Sequence, residues 1–391
     1  MRDVLYLVFC YLRHNRFKTL VLVLSVMLIV FLPLGLKVLV GQSADSLSAR
    51  AESTPLIVGA KGSPLELVLN ALYFESDPPA VMTFSESQRV MDSGNAIAIP
   101  LYTRFRARDF PIVGTTLDYF DFRVLSVESG RKFAVIGECV VGSEVARLQG
   151  LELDSHVLSS PESVFDLAGV YPLKMKVVGI LAATGTPDDR AILVDLKTSW
   201  IIEGLAHGHQ DMLSPEARSA VLKRDGNVVV ANASVVQYNE ITAANMDSFH
   251  FHGDQADFPI SAVIAVPHSQ KSATLLQGKY LAKDERVQIV QPSRVMDELL
   301  ETILTVQSYV VASIVVIGCS TLMTTILVFM LSLRLREREI EAMHRIGASK
   351  SKVVAMLSAE VVVVLLIGVS LALGLTLIVS RFGAELIRVF I

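Results

Sequence analysis

The chain has 391 residues, of which 52% are hydrophobic and 19% are charged, with a formal net charge of −4 and a mean hydropathy of +0.50. This composition is too apolar for an ordinary soluble protein of this length, and it favours a membrane protein. The weakly acidic charge balance does not favour binding to nucleic acid, so no nucleic-acid partner is expected.

Residues 1–18 are predicted to form an amphipathic helix that lies at the membrane surface. Leu5, Val8, Phe9 and Leu12 recur at helical spacing, and basic residues follow them. A plain cytoplasmic extension is the alternative interpretation of this segment.

Three long runs of the chain contain no charged residue, at 20–36, 302–333 and 361–380. About 20 apolar residues in helical form span the core of a bilayer. We therefore predict transmembrane helices at 19–40, 302–333 and 354–380. The second would be about 48 Å long at about 1.5 Å per residue, so it is predicted to project beyond the bilayer as a stalk.

The first apolar run has an alternative interpretation as a cleaved signal peptide. Arg13, Arg16 and Lys18 precede it, as basic residues do in a signal sequence. The run is long, however, begins only after nineteen residues, and is followed by no obvious A-x-A cleavage site. These features favour a retained membrane helix.

Basic residues near the predicted spans indicate their orientation. Four precede the first span, and six lie between the second and third spans, within 334–353. Because lysine and arginine are enriched in cytoplasmic loops, both regions are predicted to be cytoplasmic. Residues 41–301 then lie outside as one large extracytoplasmic segment, and residues 381–391 form a C-terminal tail.

The external segment is predicted to be a mixed α/β domain. Strand candidates are rich in β-branched residues and lie at 55–58, 133–141, 174–180, 191–194, 228–236 and 261–266. Helices are predicted at 64–72, after Ser63 as N-cap, and at 143–148. Residues 203–226, which carry mixed charge, are predicted to form a helix with a mobile loop. Cys139 is the one cysteine of the segment, so no internal disulfide is expected.

The loop RLREREIEAMHRIGASKSKV, residues 334–353, interrupts the most apolar part of the chain with nine charged side chains. Glu341 and Arg345 are spaced as an i, i+4 pair, and Arg334 and Glu337 as an i, i+3 pair, so the first half is predicted to be helical.

An apolar face accompanies the charged face of this loop. Ile340 and Met343 share one side of the predicted helix, Gly347 is placed to end it in the left-handed region, and Ser349 or Ser351 can cap the helix that follows. Two interpretations stay open: a solvated connecting turn, or an amphipathic helix on which a cytoplasmic partner pushes.

Several stretches of the sequence resemble the FtsX-like permeases, the membrane subunits of MacB- and LolCE-type ABC transporters. REREIEAMHRIGASKSKVVAMLSAE resembles their cytoplasmic coupling segment, and RHNRFKTLVLVLSVMLIV resembles the basic start of their first helix. VVGSEVARLQGLEL, KVVGILAATGTPDDRAILVDL and GAKGSPLELVLNALYF are similar to parts of their periplasmic region. The family pattern has four transmembrane helices, whereas three are predicted from this sequence.

The resemblance implies a MacB-like periplasmic domain and a multi-pass protein of the bacterial inner membrane. It also implies mechanotransmission, in which a cytoplasmic ABC ATPase moves the periplasmic domain of the permease to export or extract a lipid-like, lipoprotein or other periplasmic cargo. By this resemblance the coupling residues are Glu337, Ile340, Glu341, Met343, Arg345 and Gly347.

The partners implied by the resemblance are the ATPase, a second copy of this chain or a related permease, the lipid membrane, and a periplasmic adaptor or binding protein. The chain has no G-x-x-x-x-G-K-[ST] motif, so ATP and Mg²⁺ are expected in the ATPase rather than here. Regulation of a periplasmic hydrolase is the alternative function, because some relatives act in that way.

An enzyme is not expected, because the sequence lacks H-E-x-x-H, G-x-S-x-G and paired Cys-x-x-Cys motifs. Asp188 and Asp189 are adjacent acids, but with Arg190 beside them they are predicted to form a salt-bridged turn rather than a catalytic pair. A sensor or adhesion module with an external domain is a further alternative.

Four histidines form a candidate metal site and a second alternative function, a metal-linked transport component. His207 and His209 lie in AHGHQD, and His250 and His252 lie in FHFHGD. Two H-x-H pairs of neutral imidazoles suit zinc or copper, since residues i and i+2 of a strand point to one side. The alternative is two unrelated surface loops. No other cofactor is expected in this chain.

Overall fold

The computed structural model describes residues 2–75, 79–160, 172–208, 221–225, 228–231, 238–282, 285–335, 337–345 and 348–390. The chain divides into two compact units. The helical unit comprises Met1–Ala49 and Asp297–Ile391, and the α/β unit comprises Arg50–Met296.

The helices, in chain order, are α1 (Arg2–His14), α2 (Arg16–Glu52), α3 (Pro64–Tyr73), α4 (Ser85–Asp92), α5 (Asp118–Phe122), α6 (Ser143–Gln149), α7 (Leu196–Glu203), α8 (Gln270–Lys279), α9 (Pro292–Leu335), α10 (Glu337–Arg345) and α11 (Lys350–Phe390). Short 3₁₀ helices lie at Pro187–Arg190, Met246–Ser248 and Gln255–Asp257.

The strands, in chain order, are β1 (Leu56–Ala60), β2 (Met82–Thr83), β3 (Ala96–Ala107), β4 (Phe110–Thr115), β5 (Val127–Gly130), β6 (Glu138–Val141), β7 (His156–Leu158), β8 (Lys174–Leu181), β9 (Ile192–Asp195), β10 (Ala206–Gly208), β11 (Val221–Asp225), β12 (Val228–Ala231), β13 (Phe249–Phe251), β14 (Pro259–Ile260), β15 (Ala262–Pro267) and β16 (Val287–Val290).

Within the described residues, three helices are long and apolar enough to cross a membrane, over Arg16–Glu52, Pro292–Val328 and Lys350–Phe382. With 44 residues, α9 is about 66 Å long at about 1.5 Å per residue, over twice the bilayer core of about 30 Å. The N-terminal segment is helical as predicted, and α1 contacts α11. Its location at a membrane surface stays a prediction.

The α/β unit is built on one mixed ten-stranded sheet, as the predicted fold class requires. Its strand order is β16-β1-β15-β3-β4-β9-β6-β8-β5, and β7 pairs with β8 outside this path. The pairs β4–β9 and β6–β8 are parallel, and the other pairs along the path are antiparallel. A sheet of this size needs cover on its faces, which the short helices supply.

The core of the α/β unit includes the one tryptophan of the chain, Trp200, which is 1% exposed. Its ring makes edge contacts with Phe84 at 5.4 Å and Phe258 at 5.1 Å between centroids. Its indole N–H donates to the Pro259 carbonyl oxygen at 2.8 Å. The buried ring and its satisfied N–H fix α7 against the neighbouring segments.

The chain enters and leaves the α/β unit through neighbouring strands. β1 follows shortly after α2, and β16 ends just before α9. The two strands are antiparallel neighbours, with Ile57 opposite Val290 and Val58 opposite Ile289. Both ends of the unit therefore lie at the same edge of the sheet.

Most of the predicted elements of the α/β unit are confirmed. β1, β8, β9, β15, α3 and α6 lie where the sequence predicts them, and the Ser63 hydroxyl accepts from the Glu66 N–H at 3.3 Å as the N-cap of α3. The strand predicted at 228–236 is confirmed as β12, and the part from 232 lies outside the described residues.

Two predicted elements are wrong in the described residues. Of the strand predicted at 133–141, only Glu138–Val141 forms, since Gly137 has a φ of 82° and the Glu138 carboxylate accepts the N–H groups of Ala134 and Val135. The helix predicted at 203–226 is instead the end of α7 followed by β10, with β11 beginning at Val221, and 209–220 lies outside the described residues.

Candidate functional site

The charged loop between α9 and α11 is helical over Glu337–Arg345, as the residue spacing predicts. The predicted i, i+4 ion pair is present, because Arg345 Nη2 donates to Glu341 Oε1 at 2.7 Å. Both side chains are largely exposed, so this pair stabilises α10 by only a few tenths of a kcal/mol, about 0.3–0.5. Its charges remain accessible to another protein.

The other residues predicted for this segment are placed in part. Glu337 is exposed at the start of α10, and Ile340 is half-buried. Met343 belongs to α10, but its side chain lies outside the described part, as does the whole of Gly347. Ser349 directly precedes α11, and its carbonyl oxygen accepts the Val353 N–H at 3.3 Å.

An ion pair lies among the apolar helices of the helical unit. Lys18 Nζ of α2 is 4.0 Å from Glu360 Oε1 of α11, and Glu360 is buried. Beside Glu360 is a cavity of about 290 Å³ lined by apolar side chains of α2, α9 and α11. Ionisable residues within apolar helices are costly unless paired, so this pair fixes α2 against α11.

The last turn of α2 is bonded into the α/β unit by Arg50. Arg50 Nη1 donates to Asp188 Oδ2 at 2.6 Å, and Nη2 donates to Asp188 Oδ1 at 3.1 Å and to the Tyr119 oxygen at 3.0 Å. The Tyr119 hydroxyl donates to Asp188 Oδ1 at 2.7 Å, and Arg50 Nε donates to the Leu72 carbonyl oxygen. A buried bidentate pair of this kind holds the helix end in one position.

The electrostatics of this network favour the charged pair. Burial alone would raise the pKa of Asp188, but Arg50 and the hydrogen bonds hold it below its usual value. Burial alone would lower the pKa of Arg50, but Tyr119 and Asp188 raise it. Burial and the Asp188 charge raise the pKa of Tyr119, which stays protonated. The network is therefore one cation, one anion and one neutral hydroxyl.

The adjacent acids of the GTPDDR turn serve different partners. Asp188 pairs with Arg50, whereas the predicted partner Arg190 lies 4.0 Å from Glu144. The Asp189 carboxylate accepts the Thr184 and Gly185 N–H groups at 2.9 and 2.7 Å. The prediction of a bonded turn is confirmed, but the predicted ion-pair partner is wrong, because a distant helix end supplies the arginine.

Three of the four histidines predicted as metal ligands lie together. β10 pairs with β13 so that His207 is opposite His250, and His252 follows two residues later on the same face. Nitrogen atoms of the three rings all lie within 4.8 Å of one another. His209 lies outside the described residues. Three neutral imidazoles at this spacing are able to hold a transition metal.

Arg50, Tyr119 and Glu360 were not assigned to any site in the sequence analysis. Glu360 carried a usable signal, since an acid at the start of an apolar run requires a partner, and Lys18 stands at the start of another run. Arg50 carried none, because an arginine in a polar helix end is ordinary in sequence.

No protein-family model matches the chain, and no curated protein matches it in sequence. Among solved structures, the periplasmic region of MacB from Actinobacillus actinomycetemcomitans is similar over 63% of this chain and 94% of that one, at 9% identity and a TM-score of 0.35. The extracellular domain of the ABC-type transporter YknZ from Gram-positive bacteria is similar over 60% and 98%, at 14% identity and a TM-score of 0.31.

A third similar structure is a domain described as part of a permease protein from Porphyromonas gingivalis. It covers 60% of this chain and 86% of that chain, at 10% identity and a TM-score of 0.27.

Proposed function

We propose that this chain is the permease subunit of an ABC transporter, and that it transmits the motion of a separate cytoplasmic ATPase to its extracytoplasmic domain. The observation that carries the proposal is α10, a short, highly charged helix that includes Ile340 and Met343 and lies between two long apolar helices in the chain. Its sequence also carries the motif that resembles the coupling segment of FtsX-like permeases.

The arrangement of the chain supports transmission through helices rather than through a flexible linker. The α/β unit begins within the last turn of α2 and ends within the start of α9, so no non-helical linker precedes or follows it. Arg50 bonds the end of α2 to Asp188 in a buried pair. Helical continuity at both ends of the unit and the buried Arg50–Asp188 pair support the proposal that a helix displacement is transmitted to the α/β unit.

The predicted assembly follows from the same proposal. Each chain pairs with a second copy or a related permease in the bacterial inner membrane, and two ATPase subunits bind ATP and Mg²⁺ beneath them. By the sequence resemblance, the cargo is a lipid-like molecule, a lipoprotein or another periplasmic cargo, handled with or without a periplasmic adaptor. Regulation of a periplasmic hydrolase is the rival function, and the identity of co-purifying periplasmic proteins distinguishes the two.

The test places a carboxylate on each side of α10. Ile340→Asp is expected to put an unpaired charge into the ATPase contact and to weaken it by about 2–4 kcal/mol, or roughly 30- to 700-fold. Met343→Asp, on the same predicted face, is expected to act in the same way. Gly347→Val is expected to be damaging if the backbone there has positive φ.

The matched control is Ala342→Asp, which introduces the same charge at an exposed position about 200° around the helix from Ile340. Lys350→Ala, at another exposed position, is expected to cost under about 1 kcal/mol. The readout is co-purification of the ATPase and its activity in nanodiscs, with membrane insertion checked by size-exclusion chromatography. If Ile340→Asp retains the ATPase as well as Ala342→Asp does, α10 is only a charged connector.

A further inference from the structure

We infer that His207, His250 and His252 form a binding site for a divalent transition-metal ion of the zinc class on the α/β unit. This inference is independent of the proposed permease function, since it depends only on the geometry of one β-ribbon. The ribbon consists of β10 and β13, and we call the three side chains the histidine triad.

Strand register brings the histidine triad together. His207 lies directly opposite His250, and Ala206 is opposite Phe251. Beyond that pair, the His252 N–H donates to the Leu205 carbonyl oxygen at 3.0 Å. Directly opposite residues of an antiparallel pair share a face, and so do residues i and i+2 of one strand. All three rings are therefore on one side of the ribbon.

The alternation F-H-F-H gives the ribbon two different faces. Phe249 and Phe251 are half-buried against the core, and the Phe251 ring lies 6.5 Å from Trp200 and 6.0 Å from Phe258 between centroids. The aromatic face anchors the ribbon, so the opposite face carries the imidazoles on a fixed backbone. A site supported in this way loses little entropy when an ion binds.

The distances within the triad suit a small ion. Ring centroids are 5.0 Å apart for His207 and His250, 4.7 Å for His207 and His252, and 4.8 Å for His250 and His252. Tetrahedral zinc with Zn–N bonds of about 2.0–2.1 Å holds its nitrogens about 3.3 Å apart. His250 and His252 are exposed, so rotation of their side chains closes the remaining gap without moving the strands.

A hydrogen bond behind His250 sets the ring state that a metal requires. His250 Nδ1 lies 3.0 Å from the Ser248 carbonyl oxygen, which only accepts. In the neutral ring, Nδ1 therefore carries the hydrogen and Nε2 keeps its lone pair for an ion. A backbone carbonyl that fixes the tautomer of a ligating histidine is the usual outer partner in protein metal sites.

The donor set selects the class of ion. Three imidazoles suit Zn²⁺, Cu²⁺ or Ni²⁺, whereas Ca²⁺ and Mg²⁺ require oxygen ligands. Three protein ligands also leave a fourth position on a tetrahedral ion for water or for a donor from another molecule. Zn²⁺ is the probe that the test below uses.

The experiment uses the full chain, purified in detergent without a polyhistidine tag and stripped of metal with EDTA. Titration with ZnCl₂ by calorimetry is expected to show one saturable site per chain. His250→Gln and His252→Gln, which change exposed residues, are each expected to weaken Zn²⁺ binding at least tenfold. Both variants must melt with the wild-type profile by Trp200 fluorescence, which reports the fold of the α/β unit.

The control is His268→Gln, an exposed histidine outside the triad, which is expected to leave Zn²⁺ binding unchanged. MgCl₂ is expected to give no saturable heat, and Co²⁺ is expected to give the visible absorption of a tetrahedral site in the wild type but not in His250→Gln. An absence of saturable Zn²⁺ binding, or equal binding by wild type and both triad variants, would overturn the inference.

Discussion

Replacing Asp188 with asparagine tests whether Arg50 holds the end of α2 as the structure indicates. The substitution keeps the size of the side chain and one accepting oxygen, but it removes the charge that faces the guanidinium group. Arg50 is then left buried without a counter-ion, and a guanidinium group stays charged in proteins. Loss of one partner of a buried pair costs about 3–5 kcal/mol.

That cost is large against the total stability of a domain, about 5–15 kcal/mol. With a urea dependence of about 2–3 kcal/mol per molar, it corresponds to a fall of about 1–2.5 M in the unfolding midpoint. Trp200 is the one tryptophan of the chain and is buried in the α/β unit, so its fluorescence reports the unfolding of that unit in the full-length protein.

The matched control is Asp121→Asn. Asp121 accepts from Lys132 at 2.7 Å, but its side chain is 77% exposed, so the expected cost is under about 1 kcal/mol. Arg50→Met combined with Asp188→Asn removes both charges and is expected to recover much of the loss. If Asp188→Asn destabilises no more than Asp121→Asn, the Arg50 network does not hold the helix end and the account of it is wrong.

Three further predictions concern acid stability, backbone packing and orientation. Burial alone would raise the pKa of Asp188, but Arg50 holds it below its usual value. The ionised Asp188 therefore contributes to the free energy of unfolding above about pH 4, and this contribution is lost as the pH falls further. Urea midpoints measured between pH 6 and pH 3 should fall less steeply for Asp188→Asn than for wild type. A Cβ at Gly142 would lie 2.4 Å from the Asp188 carbonyl oxygen and 2.2 Å from that of the next residue, so Gly142→Ala should lower the thermal midpoint by several degrees, while Gly62→Ala, in open space, should not. Epitope tags at the N-terminus and beside Lys350 should be cytoplasmic and a tag in the exposed turn at Asp109 external; an Asp109 tag accessible only from the cytoplasm would contradict the predicted topology.

Local patterns predicted those parts of the fold that local interactions determine. The helix after Ser63 forms where its cap and Pro64 place it, and strands such as β8 and β15 form where β-branched residues are dense. β3 was missed because Pro100 lies within it, and proline lacks the N–H that a central strand usually donates. Its pairing with both β15 and β4 is a long-range effect that outweighs this local signal.

In the candidate sites too, local contacts were predictable from the sequence and contacts between distant residues were not. The i, i+4 pair of α10 was predictable, since residues four apart on a helix are always neighbours. The histidine triad was predictable only in its F-H-F-H half, because the register that sets His207 opposite His250 joins segments more than forty residues apart. Arg50 and Asp188 are 138 residues apart, and their meeting depends on the whole sheet.

The adjacency of β1 and β16 has a mechanical consequence. A pulling force that entered through α2 and left through α9 would act on the same end of this antiparallel pair, so its hydrogen bonds would open one after another, like a zipper, beginning at Ile57 and Val290. Strands pulled from opposite ends would instead share the load across every bond. The β1–β16 pair therefore stays intact under forces that move both helices together. It opens readily under forces that pull the two helices apart. A cross-link between the two strands, and not a denser core, is the change that would strengthen it.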